Sequence, residues 1–277
     1  MRPVLQTEGT HRRLNPEPSE EERKVSMAGR VALVTGAGSG IGAATARKLA
    51  DLGADLALND VSPAALEETI RSMEDAGRRV LPVAADVTDP QAVKEMMECV
   101  VGAFGRIDIL VNNVGGGGAP HPLEETSVDV WDRTIALNLR SVFLCTREAV
   151  PHMKRAGWGR VVNVSSVAGR GRALTAGAEY AAAKAGVIGF TRHVSAELAP
   201  FGVLVNAVAP ALTATARVRA KFEGMSGDAR ARVLAGVPVG RWAQPEEVAA
   251  AIAFLCSEEA GYICGAVLDV NGGVFVG

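Results

Sequence analysis

Aromatic residues are scarce in this 277-residue chain, at 4%. Its core must therefore be built from Ala, Val, Leu and Ile rather than from large rings. Cysteine is rare as well: Cys99, Cys145, Cys256 and Cys264 form no CxxC pair, and the four histidines, His11, His121, His152 and His193, are scattered. That distribution excludes a disulfide framework and offers no metal-ligand spacing. It is the pattern of reduced, apolar-lining thiols, which points to the cytosol. There is no excess of positive charge, the formal net charge being −2, whereas a nucleic-acid binder shows a basic face. No apolar run reaches the ~18 residues of a membrane span. What is present is a globular balance of 48% apolar and 22% charged residues, which excludes a disordered chain.

Residues 1–28 read as a polar tail. Its first 26 residues carry Pro16 and Pro18, lack the apolar stretch of a signal peptide, and hold Glu8, Glu17, Glu20, Glu21 and Glu22. Transit peptides are poor in acid. The folded pattern begins at Gly29, so Met27 is a candidate natural start and residues 29–277 read as one domain.

From Arg30 onward short β-type runs alternate with longer helical runs. Strands are read at Arg30–Thr35, Asp55–Asn59, Val80–Ala84, Ile107–Val111, Arg160–Val164, Val203–Val208 and Ala266–Val270. Helices are read at Ile41–Leu52, Pro63–Ala76, Pro90–Phe104, Val128–Arg155, Glu179–Leu198 and Glu246–Cys256. Continuous apolar strands alternating with helices predict an α/β fold, a single doubly wound parallel sheet of about seven strands covered on both faces. Residues 211–240, small and Arg-rich with Gly224 and Gly227, interrupt the rhythm and read as a helical lid.

The first strand runs into Thr35-Gly36-Ala37-Gly38-Ser39-Gly40-Ile41-Gly42. Glycines there let the backbone turn sharply and approach a pyrophosphate, and the following helix offers unpaired N–H groups. At the first βα turn of a parallel sheet this is a dinucleotide loop. Asp60 lies 20 residues after Gly40, at the end of the second strand, where a carboxylate accepts from ribose hydroxyls. A 2′-phosphate would meet like charge, and neither Ser39, Val61 nor Ser62 is basic, so NAD is expected over NADP. Asp86, with Val87 beside it, ends the third strand, close to an adenine edge or serving as a cap. Asn112-Asn113-Val114-Gly115 ends the fourth strand, where sheet order should reverse beside the cofactor. Gly115 permits close approach, and the asparagines either meet the ligand or tie strands together.

Tyr180 and Lys184 lie four residues apart and so share one helix face. A neighbouring ammonium and a positive nicotinamide favour a phenolate, which makes Tyr180 a workable acid or base. Ser165-Ser166 ends the fifth strand, and a hydroxyl there can stabilise a developing oxyanion. Asn138 sits in an apolar helix and needs partners. It can bend the helix and hold a water beside Lys184.

Together, Thr35–Gly42, Asn112–Gly115, Asn138, Ser166, Tyr180 and Lys184 resemble the motif set of the short-chain dehydrogenase/reductase family, in its shorter form. Pro238–Arg241, Pro245–Val248 and Asn271–Gly273 extend the likeness, which spans about residues 29–273. The resemblance implies a Rossmann-like fold with Tyr180 as acid/base. Lys184 would lower its pKa and bind the nicotinamide ribose, Ser166 orient the substrate, and Asn138 support a proton relay. It implies cofactor contacts from Gly36, Ser39, Gly40, Ile41, Asp60, Asp86, Val87, Asn113, Gly115, Tyr180, Lys184 and Pro210, and from Thr215 at the carboxamide with Thr213 as its competitor. It also implies a homotetramer. The family's NNAG reads NNVG here, and its PG reads Pro210-Ala211.

The expected activity is NAD(H)-dependent interconversion of a secondary alcohol and a ketone. One alternative is a 3-oxoacyl acyl-carrier-protein reductase using NADPH, against which Asp60 counts; another is a dinucleotide-binding protein without catalysis. The substrate pocket is expected from Gly116–Pro122, Arg170–Ala178 and the lid. Arg170, Arg172, Arg217, Arg219 and Lys221 are candidates to grip an anionic substrate, as a hydroxyacyl or other charged group.

Overall fold

The computed structural model describes residues 26–73, 77–118, 120–171 and 176–277. Seven strands, β1 (Val31–Thr35), β2 (Asp55–Asp60), β3 (Val80–Ala84), β4 (Ile109–Asn112), β5 (Gly159–Val164), β6 (Val203–Pro210) and β7 (Val267–Val270), form one parallel sheet in the order β3-β2-β1-β4-β5-β6-β7. β1 pairs with β2 on one side, Leu33 opposite Ala57, and with β4 on the other, Leu33 opposite Leu110. The order reverses at β1, so a crevice opens above the ends of β1 and β4.

Helices α1 (Gly40–Asp51), α2 (Pro63–Arg71) and α9 (Pro245–Cys256) cover one face of the sheet; α3 (Pro90–Phe104), α5 (Ser141–Ala156) and α6 (Ala178–Leu198) cover the other. The first layer packs Leu49, Leu66 and Ile252 onto Leu56 and Leu58; the second packs Met96, Leu144 and Met153 onto Leu33 and Leu110. β1 and β5 are buried along their whole length, as strands covered on both faces must be. The core is aliphatic, as the aromatic shortage requires. α7 (Ala216–Glu223) and α8 (Gly227–Ala235) follow β6 and occupy the region read as a lid.

Three elements differ from the sequence reading. Met27, assigned to the tail, is a core residue: it is buried against Leu49 and Leu56, and its N–H donates to the Leu52 carbonyl at 2.7 Å. The helix read as Pro63–Ala76 ends at Arg71; residues 74–76 lie outside those described. The stretch read as one helix over Val128–Arg155 is α4 (Val128–Ile135) and α5, joined by a single π-helical turn at Ala136–Arg140. Asn138 supplies the reason: its Nδ2 donates to the Thr134 carbonyl and to Gly116, outside the helix. A side chain that bonds within and beyond the ladder holds an extra residue in the turn.

Candidate active site

The phosphate loop leaves β1 and opens α1. Gly36 and Gly40 have φ of +62° and +55°, a region that only glycine enters cheaply. Ser39 precedes α1 in extended backbone with its hydroxyl uncommitted to capping, and the first turn carries no acid. The positive helix end therefore faces the crevice without an internal counter-charge. Asp60 arches over this loop: one oxygen accepts from the Gly38 N–H at 3.1 Å, the other from Ser62 N–H at 3.1 Å. A Cβ on Gly38 would lie 2.8 Å from that carboxylate, so the cradle admits no side chain. Asp86 accepts from the Thr88 N–H and hydroxyl, both at 2.8 Å, and Val87 is buried beneath the crevice wall. A pre-aimed carboxylate, bare helix N–H groups and a glycine-rich loop fit a dinucleotide.

The end of β4 divides its two asparagines. Asn112 is buried and donates to Thr146 and Asn163, tying β4 to α5 and β5. Asn113 lines the cavity, but its amide is spent on the carbonyls of Thr35 and Gly36 at 3.0 and 3.1 Å. It shapes the loop from below. A Cβ on Gly115 would lie 2.7 Å from Asn138 Oδ1 and 2.9 Å from Lys184 Nζ, so glycine is required for packing there. Asn138, fully buried, grips the next residue twice, accepting from the Gly116 N–H at 2.9 Å and donating to its carbonyl at 3.0 Å.

Ser166, Tyr180 and Lys184 converge at the end of β5. Ser166 Oγ accepts from the Ala168 N–H at 3.1 Å and pairs with the Tyr180 hydroxyl. Burial raises the Tyr180 pKa above its ordinary value, opposed by the Ser166 hydrogen bond and then by the positive charge of Arg217. Lys184 Nζ lies 5.7 Å from the Tyr180 ring centroid and donates to the Val164 carbonyl at 2.8 Å. Burial, with Arg217 second, pushes its pKa down to about 7. The cation that draws the phenol toward ionisation in this structure is therefore Arg217, a lid residue that the sequence named only for substrate charge.

These groups line one cavity of about 570 Å³, within the range of small-ligand sites. Gly36, Ser39, Gly40, Ile41, Asp60, Asp86 and Val87 sit at one end; Gly115, Ser166, Tyr180, Lys184 and Arg217 sit at the other. Pro210, Thr213 and Thr215 form its floor beyond β6. Thr213 donates to the Ala211 carbonyl and Thr215 accepts from the Val218 N–H as the cap of α7, so both hydroxyls have internal partners. The lid adds Val218, Phe222, Met225, Val233 and Val237, an apolar wall that no spacing motif marks.

The arginines expected to grip substrate divide. Arg170 turns away from the cavity: it pairs with Asp269 at 2.9 Å, donates to the Gly277 carbonyl, and lies 4.8 Å over the Phe275 ring. Arg219 donates to Ala214 and Gln244. Arg172 lies outside the described residues, as does the side chain of Lys221. Among the described side chains of the set, Arg217 alone reaches the cavity.

Comparison with known proteins agrees with this geometry. A family model described as enoyl-(acyl carrier protein) reductase matches residues 36–275. The chain is 46% identical to cis-4-hydroxycyclohexanecarboxylate dehydrogenase of Sinomonas cyclohexanicum, over 90% of this chain and 97% of that one. It is 40% identical to a 3-oxoacyl acyl-carrier-protein reductase of Thermotoga maritima, over 90% and 99% respectively. Among solved structures, levodione reductase superposes with a TM-score of 0.85 at 36% identity, covering 89% of this chain and 97% of that one. A seven-stranded parallel sheet, a glycine loop under a strand-end carboxylate, and a serine, tyrosine and lysine at one cavity end thus coincide with full-length likeness to dehydrogenases and reductases. The chain belongs to the short-chain dehydrogenase/reductase family and is an oxidoreductase of alcohol and carbonyl groups.

Proposed function

We propose that the protein is an NAD(H)-dependent dehydrogenase that interconverts a compact, largely apolar secondary alcohol and its ketone. The pairing of Tyr180 with Ser166 at the lid end of the cavity carries this reading. When bound, NAD accepts the hydride that leaves the carbinol carbon. Tyr180 takes the hydroxyl proton as base during oxidation and returns it to the carbonyl oxygen during reduction. Ser166 holds that oxygen through its hydroxyl and resists the charge that builds there. Lys184 fixes the β5 end through Val164 and places a cationic centre beside the ribose site. Gly36, Ser39, Gly40 and Ile41 receive the diphosphate, Asp60 the adenosine ribose, and Asp86 with Val87 the adenine. Gly115, Pro210 and Thr213 or Thr215 bound the nicotinamide; Asn113 supports them by fixing the loop.

NAD is preferred because the Asp60 carboxylate is already aimed over the phosphate loop, where a 2′-phosphate would meet it. Purified enzyme assayed with a panel of secondary alcohols and both cofactors tests this. Turnover with NAD at a kcat/KM at least tenfold above NADP is expected; a tenfold NADP preference overturns the cofactor assignment. The second reading, a 3-oxoacyl carrier-protein reductase using NADPH, draws on the 40% identity to such an enzyme. Selective turnover of 3-oxoacyl thioesters with NADPH would establish it instead.

The same reading includes a homotetramer, supported by the outer faces of α5 and α6. There Phe143 remains 43% exposed beside Phe190, at 6.5 Å between centroids. Such a patch is covered in closed symmetric assemblies. Light scattering at micromolar concentration should give four times the chain mass. A cytoplasmic setting is in keeping with the free thiols of Cys99, Cys145, Cys256 and Cys264.

A further inference from the structure

Charge is unevenly distributed around the cavity. Its lining carboxylates, Asp60 and Asp86, stand at the ends of β2 and β3, while its cations, Lys184 and Arg217, stand at the reaction end. Lys184 is committed to the Val164 carbonyl. Arg217 spends one N–H in the same way, its Nη1 donating to the Gly115 carbonyl at 3.1 Å, but among the described residues it has no carboxylate partner. A guanidinium carries five N–H donors in a planar fork, so most of its capacity is open. The surrounding lid wall is apolar, formed by Val218, Phe222, Met225, Val233 and Val237. The Arg217 side chain stays exposed at the edge of this wall, where its planar fork of open N–H groups can meet an anion entering the cavity.

Its reach relative to the reacting centre is set by the glycine lip. Arg217 bonds at Gly115, and its guanidinium fills the space that a Cβ on Gly116 would need. The Tyr180 ring lies against Gly117, 2.9 Å from where a Cβ would stand. Two residues of chain span at most about 7 Å. The guanidinium and the phenol therefore face one short stretch of backbone bare of side chains.

We propose that Arg217 is a specificity-determining residue that binds the carboxylate of a small hydroxy acid whose hydroxyl meets Tyr180 and Ser166. This rests on the dehydrogenase reading above and names its substrate class: a compact apolar body, a secondary hydroxyl, and a carboxylate a few carbons away. A carboxylate takes the fork in two parallel hydrogen bonds. The same fork would also suit a cofactor diphosphate oxygen, but the bare N-terminus of α1 already serves that group. The carboxylate also partly neutralises Arg217, the charge that opposes burial at Tyr180, so binding and proton affinity are coupled at the phenol.

The test compares wild type with R217M and R217K in three measurements. Steady-state kinetics use cis-4-hydroxycyclohexanecarboxylate and its methyl ester, calorimetry titrates cyclohexanecarboxylate into the enzyme–NADH complex, and fluorescence gives NADH affinity. In R217M the acid-over-ester preference in kcat/KM should fall tenfold to a hundredfold, the scale of a charged hydrogen-bonded pair. Cyclohexanecarboxylate affinity should fall by a like factor while NADH affinity stays within twofold, and R217K should recover part of both losses. An unchanged preference overturns the proposal. So does a tenfold loss of NADH affinity, which would assign Arg217 to the diphosphate. If no alcohol is oxidised by wild type, the dehydrogenase reading fails, and the titration alone decides Arg217: no carboxylate binding to wild type, or equal binding to R217M, refutes it.

Discussion

The two ends of the cavity are finished to different degrees. At the end of the cavity beside β1, β2 and β3, the carboxylates and Asn113 already have backbone partners. Asp60 holds Gly38 and Ser62, Asp86 holds Thr88, and Asn113 holds Thr35 and Gly36. At the reaction end the side chains bond to one another or spend only a fraction of their capacity: Tyr180 pairs with Ser166, and Arg217 uses one N–H on Gly115. A constant ligand is met by groups locked through backbone, at no ordering cost on binding. A variable one is met by groups that can still change partners. Rigid placement and open valence divide the work between the two halves.

The sharpest way to break this contrast is to disable the reaction end alone. Tyr180→Phe keeps the ring but removes the transferable proton; kcat should fall by at least ~10²-fold with NADH affinity within about twofold. Near-normal turnover would remove Tyr180 from the chemistry. The converse variant, Asp60→Ala, should cut the NAD-over-NADP ratio by about tenfold to a hundredfold and leave the substrate profile intact, as measured by kcat/KM with both cofactors. A shifted substrate profile would show that the ends are not independent. Asn138→Ala leaves the half-buried backbone of Gly116 without its two side-chain partners, at a cost of about 1–2 kcal/mol, read by urea unfolding. An unchanged midpoint would mean the glycine lip is held elsewhere.

A pH-dependent effect concerns Lys184. Burial lowers its pKa from 10.5 to about 7. Between those values the unfolded chain binds a proton that the folded chain lacks, so stability rises with pH across that window. Lys184→Met abolishes this dependence: its melting temperature should exceed that of wild type at pH 7, with the gap closing toward pH 10. A gap independent of pH would show that the ammonium is not held in the folded state at a burial penalty.

Most of the frame was legible because its signals are local. Apolar strands such as Val31–Thr35 and capped helices such as Pro90–Phe104 follow from period and turn chemistry alone. Tyr180 and Lys184 stand out because an i,i+4 spacing is a linear pattern, whereas Ser166 is separated from Ser165 only by the family resemblance. What escaped depends on contacts distant in sequence. Met27 is buried because Leu52 and Leu56 come back to it, and nothing in a polar tail foretells that. Arg170 and Arg217 look alike as loop or lid arginines; only the return of β7, bringing Asp269, separates the anchor from the free fork. The opposition between burial and Arg217 at Tyr180 is likewise a property of the assembled cavity.

The π turn at Ala136–Arg140 has a mechanical side. One extra residue in a helix advances the following face by about 100°, since 3.6 residues complete a turn. α5 begins immediately after it, so the azimuth at which Phe143 and Arg147 emerge is fixed by the same insertion that lets Asn138 reach Gly116. Removing a single residue from this turn would restore an uninterrupted ladder and also rotate the outer surface of α5 relative to α4. The glycine lip of the cavity and the outward bearing of the helix behind it are geared to one another through one surplus peptide unit.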